Sequence, residues 1–324
     1  MGVTQKDSCQ SFTHRPRRTA AYHPSRVWPH RARADKMACM SLDAAPVPRL
    51  PAMPAFAPGH VWLVGAGPGD PCLLSLLALH ALDRADVVVY DALVSAGVLA
   101  LAAPGATLEY AGKRGGKPSP TQRDISERLI ELARKGLKVL RLKGGDPCLF
   151  GRGAEEALAL GVAGIPFRIV PGITAGIGGL AAAGIPMTHR DVNSAVTFLT
   201  GHEAGGDMPD SIDWRALAHG APVLVLYMGL SHLARIAEML IAGGLAPETP
   251  AALISKATLP EQRVIETTIA AAAMDAEAAG IGPPCLIVIG EVVRYRAALD
   301  GDATPEARAA AAAALLRHAR RAAG

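Results

Sequence analysis

Aromatic residues are scarce in this sequence of 324 residues, in which Phe, Trp and Tyr together make up only 4%. Half of the residues are apolar, so the core must be built mainly from small and aliphatic side chains. Basic residues are not interleaved with aromatic ones in the manner of a surface that stacks bases, which argues against nucleic acid as a partner. Charges interrupt every apolar run before it reaches about 18 residues, so we predict no membrane span.

Paired or clustered cysteines are also lacking. The five cysteines form no CxxC pair and no short grouping with His: Cys9, Cys39, Cys72, Cys148 and Cys285. An odd, scattered set argues against disulfides and structural zinc. We therefore predict no metal, and we interpret each cysteine as a small buried hydrophobe in a reducing compartment, the cytoplasm. The patterns GxxxxGK(S/T), HExxH and GxSxG do not occur either, so phosphoryl transfer and covalent hydrolysis are unsupported.

Charge is unevenly distributed along the chain. Residues 1–59 contain nine Lys or Arg and three Asp, whereas residues 60–324 contain 24 basic and 26 acidic groups. The balance is therefore +6 in the first segment and −2 in the rest, which excludes a body that coats a polyanion. The first segment is rich in Arg, Pro and His and has no apolar periodicity, so we predict that it is disordered.

Short apolar runs alternate with helical patterns from Val61 onward. Ten of these runs predict strands: 61–64, 87–90, 107–110, 139–142, 167–170, 195–200, 223–227, 252–255, 264–267 and 285–289. The clearest helix spans 121–135, with Thr121 and Asp124 as a capping box and Gly136 as its stop. Apolar strands that alternate with helices indicate sheets covered on both faces, and hence an α/β fold.

The number of strands favours two α/β domains over one. We predict a disordered basic leader (1–59), an N-terminal α/β domain (60–187), a C-terminal α/β domain (188–297) and an Ala-rich helical tail (298–324). The hinge between the two domains is expected in the Gly/Pro-rich stretch 184–190.

Three strands of the N-terminal half end in glycine-rich loops, at residues 65–70, 144–153 and 170–176. Open α/β sheets bind ligands at the carboxyl ends of their strands, so the three loops are expected to converge on one crevice. The first loop, GAGPGD, is similar to a dinucleotide fingerprint, but Asp70 stands where GxGxxG requires its third glycine. This difference argues against an NAD-dependent oxidoreductase.

Asp91 directly follows the second predicted strand. Its carboxylate could serve as a base or could cap the next helix, and the sequence leaves both open. Several cations are expected in loops near the same crevice: Lys113, Arg114, Lys117, Lys143, Arg152 and Arg190. Any one of them could be a solvated surface charge, but together they favour a ligand with several carboxylates or phosphates.

Nine segments, taken in order, resemble the motifs of one known family. They are VGAGPGD (64–70), YDALVS (90–95), GKR (112–114), RLKGGDPCLFGRG (141–153), VPGITA (170–175), GIPMTHRD (184–191), YMG (227–229), PEQRV (260–264) and IGEVV (289–293). On these motifs the chain resembles the tetrapyrrole methylase family, the class III S-adenosylmethionine-dependent methyltransferases. GAGPGD and GGDP occur throughout that family, whereas GKR, RLKGGDP and THRD resemble the branch that acts on uroporphyrinogen III.

The resemblance implies two α/β domains, a homodimer, and S-adenosylmethionine held in the cleft between the domains. The backbone of Gly144, Gly145 and Asp146 would hold this cofactor. The residues that would line its pocket are Pro68, Leu149, Thr174, Ala175, Met228 and Ala257. The family's proton acceptor and proton donor fall on Asp91 and Lys113. The cations that would bind substrate carboxylates are Arg114, Lys143, Arg152 and Arg190.

The implied reaction is the transfer of two methyl groups in sequence to carbons 2 and 7 of uroporphyrinogen III, giving precorrin-2 for sirohaem or cobalamin. A sulfonium methyl is already activated, so the protein mainly has to align a pyrrole carbon behind it and supply a modest base. Two alternatives lie within the same family. One is a sister enzyme acting on a later corrin precursor, and the other is a ribosomal-RNA ribose methyltransferase, which would require a basic body. We expect a single activity, because residues 1–59 are too few for a dehydrogenase module.

Four positions depart from the pattern of the family. Ala92 stands where Arg is common, Cys148 where Phe is usual, and Val192 where Tyr is usual. Ala257 stands where Gly is frequent, which still permits a backbone contact. The missing Arg removes one possible contact with a substrate carboxylate, so the departures bear on affinity for the substrate.

Overall fold

The computed structural model describes residues 52–112, 121–202, 207–301 and 303–322. The elements of the first half are β1 (Val61–Gly65), α1 (Leu76–Arg84), β2 (Val87–Tyr90), α2 (Ala96–Leu99), β3 (Thr107–Tyr110), α3 (Gln122–Arg134), β4 (Val139–Lys143), α4 (Gly153–Val162), β5 (Phe167–Val170) and α5 (Ala175–Ala182). Those of the second half are β6 (Thr197–Thr200), α6 (Trp214–Gly220), β7 (Leu224–Tyr227), α7 (Leu233–Ala242), β8 (Pro250–Ser255), β9 (Arg263–Thr268), α8 (Ala272–Ala278), β10 (Cys285–Ile289), α9 (Arg296–Leu299) and α10 (Pro305–Ala322). Short 3₁₀ turns span Pro71–Leu73, Leu230–His232 and Glu291–Tyr295.

The first sheet has the strand order β3-β2-β4-β1-β5, and every neighbouring pair is parallel. Side chains of β1 alternate between its two faces. Trp62 and Val64 join a core with α1, whereas Val61 and Leu63 join a core with α3 and α4. Because all five strands are parallel, their carboxyl ends lie at one edge of the sheet, where the three glycine-rich loops begin.

The second sheet, ordered β6-β7-β10-β8-β9, is mixed. Strands β6 and β7 are parallel, and the other neighbouring pairs are antiparallel. Leu224 and Leu226 face a core with α6, α7 and α8, while Val223 and Val225 face a core with α5. The predicted α/β class is confirmed, and the second sheet differs from the first in combining both strand directions.

All ten predicted strands are present, with ends that differ from the prediction by at most two residues. The predicted helix is α3, and its capping box is formed. Thr121 Oγ1 accepts a hydrogen bond from the Asp124 amide at 3.2 Å, and the Asp124 carboxylate accepts one from the Thr121 amide at 2.7 Å. Gly136 follows the helix with a φ of 78°, a left-handed conformation that favours glycine.

The predicted leader extends too far along the chain. Phe56 is only 7% exposed, and its ring stacks on Trp62 with centroids 4.5 Å apart. The His80 ring lies 3.1 Å from the Pro54 carbonyl oxygen. This aromatic contact buries Phe56 in the core of the first sheet, so the leader must end before that residue. Residues 1–51 lie outside the described part of the chain.

Helix α5 follows a strand of the first sheet but packs on the second. Leu180 and, just beyond the helix, Ile185 share a core with Val225 of β7 and Val288 of β10. The domain limits at 187 and 188 remain a prediction, and this packing favours a crossover directly after Val170. The Ala-rich end of the chain forms α10. No helix in the described ranges has the length and hydrophobicity required to cross a membrane.

The cysteines differ in exposure. Cys72 and Cys148 are exposed, whereas Cys285 is partly buried, and burial raises the pKa of its thiol to about 12. Each exposed cysteine follows an Asp-Pro pair and donates its amide hydrogen to the Asp carboxylate, Asp70 or Asp146, at 2.8 Å. The prediction of buried cysteines is therefore wrong for these two, because the tight Asp-Pro-Cys turn leaves the cysteine side chain in solvent. The other two cysteines lie outside the described residues.

Candidate active site

The three glycine-rich loops meet at the edge of the first sheet, as the sequence predicts. Gly67 and Gly145 exchange backbone hydrogen bonds of 3.2 and 2.7 Å. A Cβ placed on Gly65 would lie 2.5 Å from the Gly145 carbonyl oxygen and 2.5 Å from the Gly172 Cα. Only glycine permits this approach of three backbones, so the glycines are needed to bring the loops together.

Asp146 connects the second glycine-rich loop (144–153) to the third (170–176) by a hydrogen bond. Its Oδ2 accepts a hydrogen bond from the Gly172 amide at 3.0 Å, while its Oδ1 accepts from the Cys148 amide. Asp70 makes the matching turn in the first loop, where its carboxylate caps the 3₁₀ turn Pro71–Leu73. The residue that breaks the dinucleotide fingerprint thus has a structural role of its own.

Asp91 lies against the second loop. Its Oδ2 accepts a hydrogen bond from the Gly144 amide at 3.3 Å, and its Oδ1 accepts from the Leu93 amide at 3.0 Å. Helix α2 is capped by Ser95, whose Oγ accepts from the Val98 amide. The alternative reading of Asp91 as a helix cap is therefore wrong, and its carboxylate is placed at the crevice.

Loops of the second sheet complete the crevice. The Asp70 amide donates to Thr258 Oγ1 at 3.1 Å, which joins the first loop to the turn after β8. The Thr258 amide in turn donates to Gln262 Oε1 at 2.7 Å, and Gln262 Nε2 donates to the Ala182 carbonyl oxygen. These bonds hold the turn that contains Ala257, which is buried.

Left-handed backbone is concentrated at this crevice. In the described ranges, all five non-glycine residues with positive φ lie in the loops after β4, β7 and β8: Phe150, Arg152, Met228, Lys256 and Thr258. Each such residue costs on the order of 1–3 kcal/mol and persists only where the surrounding structure fixes it. Their clustering is typical of a binding or catalytic site.

The residues of the crevice fit S-adenosylmethionine, which is both polar and apolar. The glycine-rich loops present backbone without side chains, which permits the close approach of a ligand. Pro68, Leu149 and Ala175 are partly exposed, and Met228 is exposed, so apolar surface stays accessible for the adenosine and the thioether. Thr174 is buried beside them. In the described ranges no group of three or more His, Cys, Asp or Glu is placed to hold a metal ion.

Lys143 does not lie in a loop. It is the last residue of β4 and is 3% exposed, and its Nζ lies 2.9 Å from Oε1 of the fully buried Glu156. The same oxygen accepts from Arg141 Nε at 3.1 Å and from Gln122 Nε2 at 2.8 Å. Burial, followed by the neighbouring Arg141 charge, lowers the pKa of Lys143. The predicted loop position is wrong, and this paired ammonium is poorly placed to meet a substrate.

The other expected substrate cations differ in setting. Arg152 is the N-cap residue of α4 and forms an ion pair with Glu155 at 2.7 Å, with about half of its side chain exposed. Arg190 is exposed in the loop after α5. Lys113, Arg114 and Lys117 lie outside the described residues, so the expected proton donor has no described position.

Sequence reasoning missed three residues that hold the crevice together. Thr258 and Gln262 fix the turn after β8, and Tyr227 has its hydroxyl 2.7 Å from both Thr174 Oγ1 and the Gly176 amide. Tyr227 and Gln262 belong to the YMG and PEQRV motifs, which is the only signal that singles them out. These residues bond to partners that are far away in the sequence, so the contacts could not be predicted from local sequence patterns.

Glycine-rich loops of the first sheet that meet a loop of the second, with the carboxylate of Asp91 beside them, agree with the family that the motifs resemble. Residues 60–273 match the family described as Tetrapyrrole (Corrin/Porphyrin) Methylases. The chain belongs to this family, and the prediction made from its motifs is confirmed.

Individual relatives are similar over about three quarters of the chain. A uroporphyrinogen-III C-methyltransferase of Sinorhizobium sp. is 63% identical over 248 residues, which cover 76% of this chain and 89% of the relative. An enzyme of the same name from Synechocystis sp. is 47% identical over 247 residues, which cover 76% and 94%. The crystal structure of uroporphyrin-III C-methyl transferase from Thermus thermophilus, complexed with S-adenyl homocysteine, has a TM-score of 0.62 at 40% identity and covers 72% of this chain and 99% of that chain.

Proposed function

We propose that this chain is an S-adenosylmethionine-dependent C-methyltransferase that acts on uroporphyrinogen III. It transfers two methyl groups in sequence, to carbons 2 and 7, and gives precorrin-2. The observation that carries the proposal is the contact of Asp91 Oδ2 with the Gly144 amide at 3.3 Å. This contact sets a carboxylate beside the loop that would hold the methyl donor. The similarity to enzymes named for this reaction supports the same conclusion.

The protein has two tasks in such a reaction. When bound, S-adenosylmethionine supplies a methyl group that its sulfonium already activates. The crevice has to align the nucleophilic pyrrole carbon with that methyl, and the carboxylate of Asp91 then accepts the proton that the macrocycle releases. Lys113 is the proposed proton donor.

Cofactor binding is assigned to the loops that meet at the edge of the first sheet. Backbone groups of Gly144, Gly145 and Asp146 hold the cofactor in this proposal. The remaining contacts are Pro68, Leu149, Thr174, Ala175, Met228 and Ala257. The support is that the three loops converge, and that several of the side chains around them keep exposed apolar surface.

Carboxylates of the substrate are assigned to the cations at the rim. Uroporphyrinogen III has many carboxylates, and Arg forms two parallel hydrogen bonds to such a group. The described residues suited to this task are the exposed Arg152 and Arg190. The proposal also assigns it to Arg114, which lies outside the described residues. Lys143 is not assigned to the substrate, because its ammonium group is already paired with Glu156 inside the core.

The proposal includes a homodimer. An apolar patch covers the outer edge strand β5 and the neighbouring α4, where Phe167, Ile169 and Leu158 are exposed and Val162 is 91% exposed. A monomer rarely leaves such a patch uncovered, and a second copy would cover it. Light scattering of the purified protein should give the mass of two chains, and Val162→Asp should shift this mass towards that of one chain.

We also place the chain in the cytoplasm, where the exposed Cys72 and Cys148 would stay reduced.

The reaction itself provides the test. The protein is incubated with S-adenosylmethionine and enzymatically made uroporphyrinogen III, and the product is analysed by mass spectrometry. A gain of two methyl groups is expected. No gain, with the cofactor still bound, would point to a sister enzyme that acts on a later corrin precursor.

A further inference from the structure

Helix α5 is capped by a residue of the other sheet. The first amides of a helix have no partner within it, and a Thr at the N-cap commonly accepts one of them. Thr174 occupies the N-cap of α5, but its side chain makes no capping bond. Instead, the Gly176 amide donates to the hydroxyl oxygen of Tyr227 at 2.7 Å. Tyr227 ends β7 of the second sheet, so the first turn of α5 is satisfied across the crevice.

The hydroxyl of Tyr227 also bonds to Thr174, the N-cap residue whose capping role it takes over. Thr174 Oγ1 lies 2.7 Å from it, and Thr174 is almost fully buried. Burial raises the pKa of Tyr227, so the hydroxyl stays protonated. One phenol group therefore accepts from Gly176 and bonds to Thr174 at the same time.

The absence of a side chain at Gly176 leaves room for the Tyr227 hydroxyl. A Cβ placed on Gly176 would collide with the phenol oxygen and would lie 2.7 Å from the Phe198 ring. Residue 176 must therefore be glycine for the hydroxyl to reach the helix. On its other side the Tyr227 ring packs on Phe150 of the second glycine-rich loop, with centroids 5.2 Å apart. A single side chain thus touches the loop after β4 and the start of α5, and it directly precedes Met228.

We propose that Tyr227 is a positioning residue of the cofactor pocket. Its hydroxyl sets the spacing between Thr174 and Ala175 on one side of the crevice and Met228 on the other. The inference rests on the proposed function, because these three residues are assigned to the cofactor there. Met228 has a φ of 55°, a conformation that needs support from its surroundings, and the bonds of Tyr227 anchor the residue next to it.

The test compares two phenol groups in the free protein and in its complex with S-adenosylhomocysteine. Tyr227→Phe removes the hydroxyl and keeps the ring. Tyr295→Phe is the matched control, because that partly buried hydroxyl bonds to His189 Nδ1 at 3.1 Å, away from the cofactor loops. The hydroxyl makes its bonds in the free protein, so their loss acts on binding through the cost of reordering the pocket. A cost of ~1 kcal/mol, the typical contribution of one hydrogen bond, corresponds to about a fivefold rise in Kd. Calorimetry with S-adenosylhomocysteine should show this rise for Tyr227→Phe and none for Tyr295→Phe.

Two further measurements separate positioning from general stability. Hydrogen exchange of the free protein should become faster over residues 174–180 in Tyr227→Phe and remain unchanged there in Tyr295→Phe. Gly176→Ala keeps the phenol but pushes it away, so it should weaken binding in the same direction. In the rate assay the KM for S-adenosylmethionine should rise while kcat at saturation stays within about twofold, because Tyr227 does not touch the reacting atoms.

The outcomes distinguish this inference from the proposed function. If the unaltered protein binds S-adenosylhomocysteine and Tyr227→Phe binds it equally well, the role of Tyr227 is refuted while the proposed function stands. If the unaltered protein does not bind the ligand at all, both are refuted. A fall in kcat with an unchanged KM would also overturn the positioning role.

Discussion

The carboxylate of Asp91 is held against the backbone of Gly144, whose amide donates to Oδ2 at 3.3 Å. Asp91 follows β2 and Gly144 follows β4, two neighbouring parallel strands in which Tyr90 is paired with Leu142. A Cβ on Gly144 would lie 3.6 Å from Asp91 Oδ1 and only 2.6 Å from the Leu93 Cβ. Residue 144 therefore has to be glycine, and the proposed proton acceptor shares one wall of the crevice with the proposed cofactor loop.

Replacing Asp91 by Asn should remove the base and keep the shape of the site. The Asn side chain keeps the size of Asp, and its single amide oxygen can still accept from one of the two amides, that of Leu93 or that of Gly144, so binding of S-adenosylhomocysteine should persist. Turnover should fall by roughly 10²–10⁴-fold, which is the usual contribution of a general base. Calorimetry and single-turnover kinetics measure the two effects separately, and turnover at the level of the unaltered protein would refute the assignment.

A side chain at Gly145 should abolish cofactor binding. Gly145 has a φ of 68° and Gly164, after α4, has a φ of 67°, so Gly145→Val and Gly164→Val impose similar backbone strain. Gly164 faces open space and lies outside the crevice, which makes it the matched control. Both variants should lower the melting temperature, but only Gly145→Val should lose the response to S-adenosylhomocysteine in a thermal-shift assay. Equal binding by the two variants would place the cofactor elsewhere.

Glu156 should be essential for stability. Its carboxylate is fully buried with Arg141 and Lys143, and its neutralisation would leave two cations in the core without a counter-charge. Glu156→Gln should therefore lower the free energy of unfolding by about 3 kcal/mol or more. Glu127→Gln removes an exposed partner of Arg123 and should change stability little. Urea titration of both variants provides the measurement, and similar midpoints would contradict the expectation.

The thiols should differ sharply in reactivity. The thiolate is the nucleophile, and a pKa of about 12 keeps Cys285 protonated at pH 8. Iodoacetamide at pH 8, followed by peptide mapping, should label Cys72 and Cys148 within minutes and leave Cys285 unmodified in the native protein. Labelling of Cys285 should increase as the pH is raised or as the protein is unfolded. Rapid labelling of native Cys285 at pH 8 would show that the residue is not protected.

Most secondary structure could be predicted from the sequence because its signals are local. Strands such as β2 and β5 are short apolar runs bounded by turn residues, and α3 has its cap and its stop in the residues that directly flank it. The convergence of the glycine-rich loops could also be predicted, since parallel strands bring their carboxyl ends to one edge. The directions of strands in the second sheet could not, because the pattern of apolar residues does not specify a neighbour.

Contacts between distant residues account for the errors. Arg141 and Lys143 are two residues apart on a strand, so both face the same side, where Glu156 of α4 meets them. Charged residues read alone resemble loop residues, and only the tertiary partner explains their burial. The proline-rich surroundings of Phe56 predict a disordered leader, whereas the position of Phe56 depends on the stacked ring of Trp62.

Helix α5 makes the two sheets thermodynamically dependent on each other. It follows the loop after β5, in which the Gly172 amide is bonded to Asp146, and its residue Leu180 lies in the core of the second sheet. Neither sheet can unfold without exposing surface that the other needs. We therefore expect one cooperative transition, with equal calorimetric and van't Hoff enthalpies, and we expect S-adenosylhomocysteine to move that whole transition upward. In this sense the crevice is the centre of a single folding unit, although it lies between two sheets.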